Sequence, residues 1–352
     1  MEAVAERLDQ LLARRSEANA AWFAAEAGRL AELCRAMAVR FAAGGRLLAT
    51  GDVSDSRHVA VEFVHPVIVG KRALPALAVT ARELELLAEP DDMVIGFGAD
   101  VSGMAARGCL VIDLDPPEDD PFVHQELVET GYHVLWELVH VFLEHSERNV
   151  HDTGAASFLY PFLGERETDE DAVLEDVRRS ILMKAEEIGA LREQTLGEGR
   201  ATLLAAADAL RGAGRVLALG NGGSATDATD VVADLQAGGH PAIDLTADPA
   251  ILTAIANDVG VEAIFARQVI AYGRPGDALL ALSTSGGSGN VIAALVEARR
   301  RGLVTIALVG HDGGRIAAER LADHVVVTRS QHIPRIQEAQ ASAYHVLCEL
   351  IG

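Results

Sequence analysis

The sequence predicts an α/β protein of parallel strands, and it predicts that fold twice. Three observations carry this. First, Val216–Leu219 is an apolar run long enough for a buried parallel strand, and GNGGS at 220–224 interrupts it before a helix begins. Second, DALLALSTSGGSGN at 277–290 has the same form: a buried strand, then hydroxyls and glycines. Third, the two halves share landmarks. GRLLATG at 45–51 matches GRVLALG at 214–220, and Gln125-Glu126 with YHVLWEL at 132–138 matches Gln337-Glu338 with YHVLCEL at 344–350. At 352 residues the chain is long enough for two cores. The expected division is 1–147, a linker at 148–167, and 168–352.

Taken in order, residues 1–43 carry Leu8, Leu11, Leu12, Leu30, Leu33, Cys34 and Met37 at helical spacing, which predicts one or two amphipathic helices. Trp22 and Phe23 are expected to anchor them to the core or to a partner subunit. Gly44-Gly45 ends the helix, and Arg46–Thr50 starts a strand. Asp92–Ile95 matches Asp277–Leu280 as the second strand of each half. Between shared landmarks the first half is shorter by about forty residues, and LTAIANDVGVEAIFARQV at 252–269 has no counterpart there. In the linker, Phe158–Leu163 is an apolar patch expected to pack at the domain junction. Thr168 with Asp171 is expected to cap a helix over 169–195, and Ser224 with Asp227 to cap the helix after GNGGS. Helix Val291–Arg301, strand Thr305–Val309, a turn at 311–314, strand His324–Thr328 and helix Arg335–Leu350 complete the chain.

Composition excludes several classes. A net charge of −22 argues against a nucleic-acid footprint and against anionic membranes. No apolar run reaches bilayer length, and the N-terminal stretch has no signal-peptide core. Cys34, Cys109 and Cys348 lack metal spacing, a usage that fits a reducing cytoplasm.

The Gly-rich turns carry the chemistry. Glycines admit φ > 0 and turn several N–H groups toward one point, and a helix N-terminus adds donors and a positive dipole end. Ligands of parallel sheets bind beyond the carboxyl ends of the strands. The two turns are therefore expected to form one phosphate pocket from Asn221, Gly222, Gly223, Ser224, Ser283, Thr284, Ser285 and Ser288. No Lys follows the glycines, so neither is a Walker A loop, and GNGGSA lacks the dinucleotide-binding spacing.

GNGGSATDA, LTAIANDVGVEAIFARQV, GRPGDALLALSTSGGSGNV and RIQEAQASAYHVLCELI, in that order over about residues 180–352, resemble the phosphoheptose isomerase branch of the SIS (sugar isomerase) family. The resemblance implies flavodoxin-like domains, a phosphosugar held by Ser and Thr, and oligomers with sites at subunit interfaces. It also implies aldose–ketose isomerisation by proton transfer through an enediol, with no cofactor required. In the family's pattern a His and a Glu, four apart, follow the phosphate loop, and a Gln and a His, eight apart, lie on the last helix. In some members these four bind a metal such as Zn²⁺.

The repeat divides that pattern. The first half keeps His58, Glu62, Gln125 and His133, but its loops read GDVSDSR at 51–57 and GADVSG at 98–103, where Asp52 and Asp55 would repel phosphate. The second half keeps Gln337 and His345 but places Asp230 and Asp234 at the His and Glu positions. Asp for Glu withdraws the carboxylate by about 1.5 Å; misplacement of that order can cost about a hundredfold in rate. Asp for His favours oxygen-liking metals or none.

The expectation is thus two SIS domains arranged as a pseudo-dimer, the first without phosphate loops, with two chains imitating the tetramer of single-domain relatives. The working site is expected to be composite. Glu62 is its base and His133 its acid, with His58 and Gln125 orienting them or sharing a Zn²⁺-like ion. The competing expectation gives the chemistry to Asp234 and His345 with Gln337. The alternative function is a non-catalytic phosphosugar sensor or scaffold. A SIS protein that assists replication initiation by protein contact also resembles this branch, and nothing in the residues selects it.

Overall fold

The computed structural model describes residues 2–66, 71–146 and 170–352. The chain forms two compact units, residues 17–187 and residues 1–16 with 188–352. The division into units falls within two long helices, α1 (Glu2–Ala42) and α5 (Glu170–Glu198). The linker, its apolar patch and Thr168 lie outside the described residues. Residues 1–43, for which one or two helices were open, form the single helix α1.

In the 17–187 unit, β1 (Leu47–Gly51), β2 (Ala76–Ala78), β3 (Met93–Phe97) and β4 (Leu110–Ile112) form a parallel sheet in the order β2-β1-β3-β4. Leu47 pairs in register with both Ala76 and Met93. Alternate residues of a strand face opposite sides, and the burial follows. Leu47, Ala49, Met93 and Ile95 share one core with Phe23, Leu30 and Met37 of α1 and with Leu135 and Trp136 of α4 (Pro121–Ser146). Leu48 and Val94 face the other core with Leu84 of α3 (Ala81–Leu87). Trp22 and Phe23 therefore anchor α1 within this unit's core.

The second unit extends the same order by one strand. β5 (Val216–Leu219), β6 (Ala242–Asp244), β7 (Ala278–Ser283), β8 (Val304–Gly310) and β9 (His324–Thr328) are parallel, in the order β6-β5-β7-β8-β9. All six residues of β7 are buried, as a central parallel strand requires. The helices are α6 (Arg200–Gly212), α7 (Gly223–Ala237), α8 (Pro249–Asp258), α9 (Ile264–Tyr272), α10 (Gly289–Arg300), α11 (Gly314–Ala318) and α12 (Ile333–Ile351). The first repeat has the single helix α3 where the second has α8 and α9, a short 3-10 turn (Ser102–Arg107) where it has α10, and no counterpart of α11 and β9 among the described residues. Arg15 of α1, fully buried, pairs with Glu349 of α12 at 2.8 Å, which ties the first turns of α1 into this unit.

One helix start is specified by a single side chain. Asp52 caps α2 (Val53–Val64): its Oδ1 accepts the N–H of Ser54 at 2.8 Å and of Asp55 at 3.1 Å, and the Ser54 hydroxyl at 2.7 Å. Losing such a cap costs about 1 kcal/mol. Asp52→Ala should lower the free energy of urea unfolding by about that amount; no change would show that water replaces the cap without loss.

Candidate functional site

The expected phosphate loops meet at the carboxyl ends of β5 and β7. These strands are neighbours, with Val216 opposite Ala278 and Leu219 opposite Ala281. β5 leads through α7 to β6 on one side, and β7 through α10 to β8 on the other. This is the switch point at which parallel sheets bind ligands.

The start of α7 differs from the expected Ser224–Asp227 cap. The helix begins at Gly223, and the capping position is Gly222, at φ 58°, ψ −126°, with no side-chain hydrogen bond to the helix. That backbone conformation is essentially confined to glycine. Ser224 lies inside the first turn, buried. The helix end is thereby left uncapped by the protein's side chains. At α10 the Ser288 hydroxyl makes no cap, and Asn290 Oδ1 accepts the first-turn N–H of Val291 at 2.9 Å.

Between them runs the loop 283–288. Ser283 Oγ accepts the Gly286 N–H and Ser285 Oγ the Gly287 N–H, each at 3.2 Å, which leaves both hydroxyl hydrogens to donate. Gly286 stands at φ 60°, and a Cβ there would lie 2.2 Å from the Gly313 carbonyl oxygen. A helix start without a side-chain cap at α7, the start of α10 and a row of hydroxyls thus come together, the kind of donor set that can hold an anion. The corresponding end of α2 is closed by its own carboxylate, Asp52. The sequence marked that residue as repelling phosphate; in the structure it takes the donors a phosphate would need.

Each unit also holds a carboxylate–histidine set. In the first, His58, Glu62 and His133 are buried, and one potential ligand atom from each lies within 4.8 Å of the others. His58 Nδ1 is 3.0 Å from the Tyr132 hydroxyl, and its Nε2 is 3.8 Å from Glu62 Oε1. Burial, and secondarily the neighbouring His133, holds the His58 pKa well below the usual histidine value, so the imidazole is neutral at pH 7. Two histidines with a Glu fit the donor set of a divalent ion such as Zn²⁺. Gln125 is tied to α2 otherwise: its Nε2 donates to Asp55 Oδ1 at 3.3 Å.

In the second unit, His345 Nε2 lies 3.3 Å from Asp230 Oδ2 and 3.5 Å from Asp234 Oδ2, and the Tyr344 hydroxyl donates to Asp230 at 2.7 Å. These three ligand groups also meet within 4.8 Å, a set suited to harder ions. Gln337 is buried two turns before His345 on α12. Burial, then Asp234, Asp230 and Glu349, pushes the nearby Cys348 thiol well up, so it is no nucleophile at neutral pH. The two sets correspond residue for residue, including a tyrosine on the shared helix that reaches the first member of the pair. Sequence reasoning gave neither tyrosine a role, although Tyr-His recurs in both halves.

These features define a parallel α/β protein in which two glycine- and hydroxyl-rich loops meet at the switch point of its second sheet. A family model described as "SIS domain" matches residues 185–310. A phosphoheptose isomerase of Geotalea daltonii is 46% identical over 151 residues, covering 41% of this chain and 78% of that protein. One of Geobacter sulfurreducens is 40% identical over 185 residues, covering 51% and 97%. The chain belongs to the SIS domain family.

Two solved structures align with nearly the whole chain. The C-terminal domain of glucosamine-fructose-6-phosphate aminotransferase from Francisella tularensis aligns at TM-score 0.59 and 10% identity, over 98% of this chain and 95% of that one. A putative tagatose-6-phosphate ketose/aldose isomerase from Clostridium novyi NT aligns at 0.57 and 11%, over 98% and 89%. At such identity they bear on the fold alone, and the fold is two flavodoxin-like domains. No helix among the described residues is long and apolar enough to cross a membrane.

Two neighbouring glycines test the cradle. A side chain at Gly286 would be strained by its positive φ and by Gly313, whereas a Cβ at Gly287 would meet nothing closer than Ser285 Oγ at 3.8 Å. A variant loop that relaxes when free must regain the native turn to bind, so strain of about 1–2 kcal/mol would appear as roughly tenfold in affinity. Gly286→Ala should weaken inorganic phosphate binding by about that factor and Gly287→Ala much less, by ³¹P NMR titration. Equal effects would place the anion elsewhere.

Proposed function

We propose that the protein binds a phosphosugar, with its phosphate in the cradle of 220–224 and 283–288, and interconverts the aldose and ketose forms by proton transfer through an enediol. The observation that carries this reading is the start of α7, left without a side-chain cap across from the hydroxyls of Ser283 and Ser285. The relatives named phosphoheptose isomerase point to a sedoheptulose 7-phosphate type of substrate. The reading takes the chain as a tandem of SIS domains of which only the second holds phosphate.

The chemistry needs a carboxylate to take a proton from one sugar carbon and a partner to move it between oxygens. Glu62 with His133 is one such set, and Asp234 with His345 and Gln337 the other. Where His58, Glu62 and His133, with Gln125, hold a divalent ion, it would polarise a sugar oxygen. The residues themselves bind, orient and carry the proton. Glu62 is proposed as the principal base because its side chain is one methylene longer than that of Asp234.

A second reading, a phosphosugar sensor without catalysis, is favoured by one observation: Asp230 and Asp234 face His345 where the resemblance places a His and a Glu. Incubation with sedoheptulose 7-phosphate in deuterated buffer separates the two, because an isomerase exchanges a carbon-bound proton. Exchange is expected in the full chain. A positioned base contributes about 10²–10⁴-fold, so Glu62→Gln should lose most of the rate with binding retained, and Asp234→Asn should lose less. Ser283→Ala with Ser285→Ala should weaken binding itself. Binding without exchange would establish the sensor reading, and unaltered affinity in the double Ser variant would remove the phosphate assignment.

A further inference from the structure

The two halves of the cradle are joined by one pair of side chains. Asn221, in the turn after β5, donates from Nδ2 to Asn290 Oδ1 at 3.0 Å. Asn290, in the first turn of α10, donates from its own Nδ2 to Asn221 Oδ1 at 2.9 Å. The residues are 69 apart in sequence. The orientation of the pair follows from its surroundings. Asn290 Oδ1 also accepts the Val291 N–H at 2.9 Å, which only an oxygen can do, so its NH₂ must face Asn221. Asn290 is buried and fixed to its own helix, while Asn221 is exposed at the tip of the first loop.

The second loop is held from its other side as well. The Gly286 carbonyl accepts the Ile316 N–H at 3.0 Å, and Gly286 lies against Gly313. The loop 283–288 therefore stands between the β8–α11 turn and the amide pair. An anion bound by both helix starts needs their separation fixed to a fraction of an ångström, because donor hydrogen bonds weaken steeply with distance and angle. Among the described contacts, the Asn pair is the side-chain hydrogen bond that links the two loops directly.

We propose that Asn290 is a positioning residue: acting through Asn221, it sets the gap between the starts of α7 and α10 and so sets affinity for phosphate. This rests on the phosphate-cradle reading above. It changes the part expected of Asn221, whose amide is committed to Asn290 and serves the spacing of the loops.

A double-mutant cycle tests it, with inorganic phosphate as the probe and affinity read by ³¹P NMR titration of the full-length chain. Asn290→Ala and Asn221→Ala should each weaken binding about tenfold, and the double variant should be no weaker than either alone, as for two residues acting as one unit. Asn221→Ala breaks the pair from the exposed side, so the test stands even if Asn290→Ala fails to fold. Thermal unfolding of each variant gives a separate measure, since a purely structural role would shift melting and leave the coupling in affinity at zero. Wild-type affinity in Asn221→Ala, or independent losses that multiply to about a hundredfold in the double variant, would overturn the proposal while leaving the cradle in place. A wild-type chain that binds no phosphate would overturn the cradle and the proposal together.

Discussion

An anion site made of backbone donors exists only where the protein does not satisfy those donors itself. This constraint organises the molecule. α7 starts from Gly222, which has no side chain to fold back, and α10 starts from Ser288, whose hydroxyl makes no cap. α2 starts from Asp52, whose carboxylate takes the N–H groups of Ser54 and Asp55. The same strand–turn–helix unit thus carries a side-chain cap in one repeat and none in the other. The closed form stabilises its helix; the open form keeps its dipole end for a ligand.

The carboxylate–histidine sets show a second divergence on a shared scaffold. The i, i+4 pair on the helix after the first strand and the Tyr-His on the last helix meet in both units. In one unit the pair is His58 and Glu62, beside the buried His133; in the other it is Asp230 and Asp234, with two short carboxylates against the His345 imidazole. The first suits a borderline ion or a long-reaching base, and the second a harder ion or a fixed charge network. Retention of the geometry with exchange of the chemistry is what duplication followed by division of labour would leave.

Much of the fold could be read from the chain. The apolar runs at 216–219 and 278–282 and the matched landmarks predicted parallel strands twice, and the missing segment at 252–269 accounts for α8 and α9. Asp52 was marked as hostile to phosphate, though its role as a cap was not. The start of α7 was misread because Ser-x-x-Asp looks like a capping pair, and only the backbone angles of Gly222 show that the helix has already begun. The tyrosines and Asn290 were missed for a common reason. Spacing places a residue on a helix face, but whether its polar tip meets a partner 69 or 74 residues away depends on how the strands order themselves.

If one unit of the duplicated chain holds the phosphate, the chain binds one phosphosugar. Isothermal titration of the full-length protein with sedoheptulose 7-phosphate measures this directly as a stoichiometry. The account predicts a single phosphosugar per chain. Two per chain, or one that persists undiminished when Ser283 and Ser285 are both replaced by alanine, would contradict it.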